Sequence, residues 1–333
     1  MFIAASPEAF RSLFSEKLEF MLATGGLGAF ILVLANSMQD ARLRDRLATP
    51  LRLAFEKLQS HAPGAAPDDA LVFDSLRKTG LDPLGVWETR KLDNWRLNLN
   101  PLRALRPARA AGKAFTCLHK PFDEQAFHFD KPFLEPEVLW RGHIEQDLSL
   151  KVLYNKFPFA PFHLLIAPEP ASHLPQFLAV EHHTAMWDLL EQNADQFSDL
   201  RLAYNSIGAG ASVNHLHFQG FVDEPLPVED AHWSHNGGES AYPLPCRFHQ
   251  NICHAWKAIS RYQKTNQPFN VLYVPGGCYI LKRKPAGDKS LPSWGRGAAW
   301  AEACGLFTLP DRKTYESLGD SDICAALSSL ADG

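Results

Sequence analysis

Residues 204–219 read YNSIGAGASVNHLHFQ, a run of small residues that passes directly into two histidines and a glutamine, each set apart by one apolar residue. In a strand, alternate side chains share a face. His215, His217 and Gln219 would then project together while Leu216 and Phe218 turn into the opposite, packed layer. A strand is therefore expected over 214–222, reached from a strand over 200–206 through a Gly/Ala/Ser loop. Gly208, Ala209, Gly210, Ala211 and Ser212 carry little bulk, so backbone N–H groups there can approach an anion as a nest, and Ser212 can add a hydroxyl donor.

A neutral imidazole nitrogen can attack phosphorus, and the resulting phosphoramidate stays reactive enough to pass the group onward. Gln219 can donate to a non-bridging phosphate oxygen without adding charge. A row of this kind beside an anion-binding loop points to phosphoryl or nucleotidyl transfer. An arbitrary His-x-His pair is most often two satisfied core or surface side chains; here the loop, the alternation and the glutamine together favour chemistry. His-x-His also occurs in metal sites. Zinc needs further His, Cys or carboxylate ligands, however, and no Cys-x-x-Cys pair or matching cluster supplies them.

Outward from this stretch, LSLKVLYNKFPFAPFHLLIA (148–167) predicts two strands around a proline-containing turn, and a helix is expected over 177–197. Further on, a helix over 248–264 precedes strands at 269–274 and 278–284. The stretch NVLYVPGGCYILKRKP repeats the Val-Leu-Tyr, turn and apolar strand of the first pair, as an internal duplication would. Near the start, apolar spacing predicts helices over 7–23 and 40–61, with a loop at 61–69. Arg103, Arg106 and Arg109 read as solvated surface, as do the histidines at 182, 183, 232 and 235.

The 333 residues suffice for one large domain or two ordinary ones. A net charge of -4 excludes broad electrostatic binding to nucleic acid, so phosphate recognition must be local. MFIAASPEAFRSLFSEKLEF lacks the features of a secretion signal, and the apolar run Leu27 to Ala35 is too short to span a bilayer. A cytoplasmic protein with neither membrane nor nucleic-acid partners is expected. The six cysteines suggest no framework of bridges and read as reduced, mostly buried thiols.

The residues Asn205-Ser206, Gly210-Ala211-Ser212 and His215-Leu216-His217-Phe218-Gln219 resemble the active-site motif of the histidine-triad (HIT) superfamily. The branch is the one with His-x-His-x-Gln, which includes galactose-1-phosphate uridylyltransferases, diadenosine tetraphosphate phosphorylases and GDP-hexose phosphorylases. Pro121-Phe122-Asp123, Phe127-His128-Phe129, Glu137-Val138-Leu139, Pro168-Glu169 and Leu174-Pro175-Gln176 extend the similarity to the GDP-L-galactose and GDP-D-glucose phosphorylases over about 118–222. Lys282-Arg283-Lys284 and the segment Trp300 to Gly305 also look family-like.

The resemblance implies an α+β, HIT-like (galactose-1-phosphate uridylyltransferase-like) fold with two antiparallel half-barrel sheets and packed helices. Residues 1–333 would form a single compact catalytic unit. Within it, 118–222 would be the active-site half and 245–333 a second half completed by the N-terminal helices. His217 becomes the expected nucleophile that takes up a nucleoside monophosphate, His215 orients the site, and Gln219 and Ser212 hold the reacting phosphate. Asn205, Ser206, Gly210 and Arg283 join the expected phosphate- and nucleotide-binding set; a solvated strand end is the alternative for Arg283. His163 and His173, flanking the adjoining strand, read as structural. No cofactor is implied, and no metal, because the cysteine pair that accompanies the first histidine in the uridylyltransferases is missing.

The implied reaction joins a GDP-hexose and inorganic phosphate to give GDP and hexose 1-phosphate, and superfamily habit implies a homodimer. A dinucleoside polyphosphate phosphorylase or hydrolase, and a non-catalytic nucleotide sensor, are the alternatives.

Overall fold

A computed structural model of the protein describes residues 2–60, 66–105, 115–144, 147–286 and 297–331. The chain opens with helices α1 (Pro7–Thr24), α2 (Leu27–Ser37), α3 (Ala41–Ser60) and α4 (Pro67–Thr79). Helix α1 begins where the Ser6 side chain accepts the Ala9 N–H and Pro7 presets the first helical turn. Helix α2 carries the apolar run seen in the sequence. It is buried on nearly all sides because α1, α3 and α4 all pack against it.

There follow β1 (Glu88–Lys91), β2 (Arg96–Leu99), β3 (Val138–Ile144), β4 (Leu148–Tyr154), β5 (Leu164–Pro168), α5 (Val180–Asn193), β6 (Leu200–Asn205) and β7 (Phe218–Val222). The remainder comprises β8 (Cys246–His249), α6 (Ile252–Lys264), β9 (Phe269–Val274), β10 (Gly277–Lys282), α7 (Trp300–Ala303), β11 (Leu306–Leu309), α8 (Arg312–Ser317) and α9 (Asp320–Leu330). Eight strands form one sheet in the order β3-β4-β5-β7-β6-β9-β10-β8, antiparallel throughout. The α+β fold is thus as expected, with the antiparallel strands of the two halves joined into one sheet where β6 pairs with β9. A second, three-stranded sheet has the order β1-β2-β11, with β11 parallel to β2.

Period-two alternation divides the large sheet into two faces. Val152, Tyr154, Ile166, Leu202, Tyr204, Phe218, Val271, Tyr273 and Ile280 join the core built on the N-terminal helices, α5 and α6. On the opposite face, Phe221, Leu272, Val274, Tyr279 and Leu281 pack with β2, α7, β11 and α9. A small third cluster of Phe129, Leu134, Leu153 and Ala167 covers the other end of that face. The repeated Val-Leu-Tyr occupies matching places: Val152 and Tyr154 face the first core, as do Val271 and Tyr273, while Leu153 and Leu272 face away.

The N-terminal helices share one core with strands of both halves, Val152, Tyr154 and Ile166 on one side and Val271, Tyr273 and Ile280 on the other. The Phe14 ring lies 4.7 Å from Tyr154, whose hydroxyl donates to the Phe14 carbonyl at 2.6 Å. The opposite face of the second half packs with β2, β11 and the C-terminal helices. One expectation needs correction: His182 and His183 are buried, not on the surface. Each has a partner that permits burial: His182 Nε2 meets Glu169 at 3.0 Å, and His183 lies 2.9 Å from the Tyr273 hydroxyl. Arg103 is half-buried over the Phe159 ring, 4.7 Å from its centroid, while Arg106 and Arg109 lie outside the described residues.

Candidate active site

Strand β7 starts at Phe218, so only the end of the row expected over 214–222 is strand. The histidines lead into it as an extended segment whose hydrogen bonds go to side chains and a loop. The His217 N–H donates to Gln176 Oε1 at 2.8 Å, and its carbonyl accepts from Gln176 Nε2 at 3.1 Å. Leu216 N–H donates to the Leu174 carbonyl at 2.8 Å. Gln176 thereby takes the backbone groups of His217 that a neighbouring strand would have used.

His217 is buried, with its ring centroid 4.8 Å from that of Phe129. Its Nδ1 stands 2.8 Å from the His215 carbonyl. A carbonyl can only accept, so Nδ1 carries the proton and Nε2 keeps its lone pair in the neutral ring. Burial lowers the pKa of His217 to about 4, so the ring is neutral at pH 7. Nε2 makes no hydrogen bond among the described residues.

His215 has the opposite tautomer. Its Nδ1 accepts the Phe129 N–H at 3.0 Å, which puts the proton on Nε2. That atom is buried without a partner at ordinary hydrogen-bond geometry among the described residues, with the Pro170 carbonyl acting on it only weakly against the fall in pKa. Burial, followed by the neighbouring His217, His128 and His173, pulls its pKa down to about 4. The His128 and Phe122 rings lie 5.7 and 5.3 Å from the His215 ring. Despite these clustered rings, no group of three or more His, Cys, Asp or Glu among the described residues is arranged to hold a metal ion.

Gln219 is held through its oxygen. Trp300 Nε1–H donates to Oε1 at 2.8 Å, and His163 Nε2 lies 2.9 Å from the same atom. Indole nitrogen can only donate, so the atom facing it is the amide oxygen, and His163 must present Nε2–H. The Gln219 Nε2 makes no hydrogen bond among the described residues.

The expected phosphate ligands divide. Ser212 is exposed on the loop, and Gly210 has φ +100°. Gly210 packs so closely on the segment before α7 that an added Cβ would lie 2.6 Å from Ala299 Cβ. Asn205 Oδ1 accepts from Asn270 Nδ2 at 2.6 Å and from the Trp300 N–H at 3.0 Å, while its Nδ2 is buried without a partner among the described residues. The Ser206 hydroxyl accepts the Phe269 N–H at 3.0 Å and serves the backbone.

Arg283 is fully buried, which overturns the solvated strand end. It donates from Nη1 to the Ala298 carbonyl at 2.7 Å, so this guanidinium braces the segment before Trp300. Burial lowers its pKa to about 10, leaving it charged at pH 7.

Sequence reasoning assigned no role to Gln176 or Trp300 and read His163 as merely structural. The first two lie within stretches that carry the family resemblance, Leu174-Pro175-Gln176 and Trp300 to Gly305, and that was the available signal. Lys151 is a buried cation that no local pattern marks. It is buried in β4 opposite Ala167, with Nζ 3.7 Å from Asp130 Oδ1.

Residues 94–221 match the family described as GDPGP1-like, N-terminal domain. The chain is 37% identical over 123 residues to GDP-D-glucose phosphorylase 1 of Homo sapiens, covering 34% of this chain and 31% of that protein. It is 33% identical over 163 residues to the Danio rerio protein of the same name, covering 46% of each. Against GDP-L-galactose phosphorylase 1 of Arabidopsis thaliana it is 30% identical over 128 residues, covering 33% and 28%. The chain thus spans less than half the length of the curated relatives it matches. Among solved structures, yeast Ap4A phosphorylase Apa2 in complex with Ap4A aligns with a TM-score of 0.51 at 17% identity, over 81% of this chain and 99% of that one. The ligand-free Apa2 structure gives 0.52 at 16% identity, over 81% and 96%. These similarities bear out the resemblance to the GDP-hexose phosphorylase branch, and the fold is shared with Ap4A phosphorylase.

Proposed function

We propose that the protein is a nucleotidyltransferase that phosphorolyses a GDP-hexose. His217 Nε2 attacks the phosphorus that bears the guanosine. The bond from that phosphorus to the bridging oxygen breaks, and hexose 1-phosphate leaves with the electron pair. An oxygen of inorganic phosphate then attacks the guanylyl-histidine, breaks the P–N bond and releases GDP. The observation that carries this reading is the neutral, Nδ1-protonated ring of His217, whose Nε2 lone pair is left for bonding. The curated relatives named as GDP-hexose phosphorylases support the choice of donor.

Substrates are accordingly a nucleotide-sugar and inorganic phosphate, with a homodimer as the proposed assembly. No helix among the described residues is long and apolar enough to cross a membrane; cytoplasmic residence remains part of the proposal.

The test is intact mass spectrometry after mixing the protein with GDP-glucose, GDP-galactose and GDP-mannose in the absence of phosphate. One added guanosine monophosphate in the wild type, absent from His217→Asn, is expected; an adduct that survives in His217→Asn would overturn the assignment. A second reading, with a dinucleoside polyphosphate as donor, draws on the shared fold with Ap4A phosphorylase. Faster labelling by Ap4A, with addition of adenosine monophosphate, would select it.

A further inference from the structure

An amide side chain has two nearly isosteric orientations, and only one of them donates to phosphate. With Nε2 toward a non-bridging oxygen, Gln219 stabilises the charge that develops there; with Oε1 toward it, the side chain repels that charge. Something must hold the choice before substrate arrives. His163 alone could not, because an imidazole nitrogen is donor or acceptor according to its tautomer.

Trp300 removes the ambiguity. Its indole N–H, which cannot accept, lies 2.8 Å from Gln219 Oε1. The indole is itself immobilised: it is fully buried and stacks on Phe221 with centroids 4.5 Å apart and planes inclined by 18°. Its backbone N–H donates to Asn205 at 3.0 Å. His163 completes the pair of donors: with the indole fixing the amide oxygen toward its Nε2 at 2.9 Å, that nitrogen must carry the proton, and Nδ1 is left to accept the Phe159 N–H at 3.4 Å. With both donors on the oxygen, the Gln219 NH2 group is directed away from them.

We propose that Trp300 is a positioning residue for nucleotidyl transfer, fixing the Gln219 amide through the indole N–H so that its NH2 group meets the reacting phosphate. This inference rests on the guanylyl-histidine reading above. It assigns the indole a role in rate beyond its burial in the core, exerted through Gln219 alone.

The test is single-turnover formation of the mass adduct from GDP-glucose without phosphate, followed by quenching and intact mass spectrometry. Trp300→Phe keeps an aromatic ring and removes the N–H. Benzothienylalanine introduced at position 300 keeps the bicyclic shape as well, so the measurement survives if the phenylalanine variant does not fold. Either replacement is expected to slow adduct formation roughly 10- to 100-fold, the scale for weakening one preorganised donor, while the donor Kd changes less than about threefold. In a Gln219→Ala background the same replacement should change the rate by less than about twofold.

A Trp300 variant that labels as fast as wild type overturns the inference. So does an equal loss in both backgrounds, which would mark a packing role. A wild type that never labels, whichever GDP-hexose is supplied, overturns the reading on which the inference rests and the inference with it.

Discussion

Gln176 grips the main chain of His217 from both sides, accepting its N–H at 2.8 Å and donating to its carbonyl at 3.1 Å. The same Nε2 donates to the Asn205 carbonyl at 2.9 Å. One buried amide therefore ties the backbone of His217, the proposed nucleophile, to the end of β6.

Replacing Gln176 by leucine keeps much of its bulk and orphans three backbone groups: the His217 N–H, the His217 carbonyl and the Asn205 carbonyl. Each orphaned buried group costs roughly 1–3 kcal/mol, so a loss of about 3 kcal/mol or more in unfolding free energy is expected. Urea unfolding monitored by tryptophan fluorescence measures it. Because the histidine is displaced rather than the substrate contacts removed, kcat should fall by more than KM rises.

With His217 as the proposed nucleophile, its depressed pKa would set the acid limb of the rate. With the folded value at about 4, the ring stays neutral well below the ordinary histidine value of 6.5. The logarithm of kcat/KM should therefore not bend near pH 6.5 on account of His217, and its acid limb should appear only toward pH 4. Initial rates in buffers of constant ionic strength check this; a limb with its midpoint near 6.5 contradicts it.

Stability should follow the same groups. His183, His215 and His217 all have folded values of about 4, held there first by burial. Between that value and the unfolded value of about 6.5, the unfolded chain binds more protons than the folded one. Their contribution is thus fully present above about pH 6.5 and is lost as pH falls toward 4. A series of urea midpoints across that window should decline steadily, and a flat series would show that these rings protonate without unfolding.

Gly210→Ala is predicted to damage the site from a distance. The backbone there has φ +100°, and the added Cβ would lie 2.6 Å from Ala299 Cβ and 2.8 Å from Ala299 Cα. The second of these is main chain, so relief requires the loop or the start of α7 to move. Since Trp300 follows immediately, turnover should drop at least tenfold, with a stability loss of about 1–3 kcal/mol. Ser212→Ala, on the exposed part of the same loop, should leave the urea midpoint unchanged within error.

Arg283→Lys tests whether this buried cation binds substrate or braces the fold. Lysine keeps the charge but loses the planar fork that reaches the Ala298 carbonyl at 2.7 Å. A brace predicts a lower urea midpoint together with slower turnover. Retained stability with a raised KM for phosphate would instead identify a direct ligand.

Much of this could be read from local pattern. Most strands of the large sheet announce themselves as short runs of β-branched, aliphatic and aromatic residues, as in Phe269 to Val274, which is buried on both faces; β3 and β8 are not among the strands expected, and Cys246–His249 overlaps the start of the helix expected over 248–264. The row from His215 to Gln219 was legible because polar and apolar residues do alternate there, although its first half is held by Gln176 rather than by a neighbouring strand. The three-stranded sheet was not legible. Arg96–Leu99 and Leu306–Leu309 are too short to show a period, and their parallel pairing is fixed by tertiary packing. Burial of His182 and His183 was equally hidden, because their partners Glu169, Tyr273 and Ile252 lie on other elements. The contact between Trp300 and Gln219 joins residues 81 apart, a distance over which no local rule operates.

The parallel pairing of β2 with β11 bears on synthesis as well as on the finished fold. Leu97 must wait for Phe307, and the indole that holds Gln219 arrives just before it. A ribosome-bound chain can therefore assemble the sheet around His217 while the three-stranded sheet is unclosed and the glutamine unguided. Such non-local closure is intrinsically slow. The waiting intermediate would expose the apolar sheet face later covered by Trp300, Leu306 and Phe307. It is at that stage, before release, that a chaperone would find the most to hold.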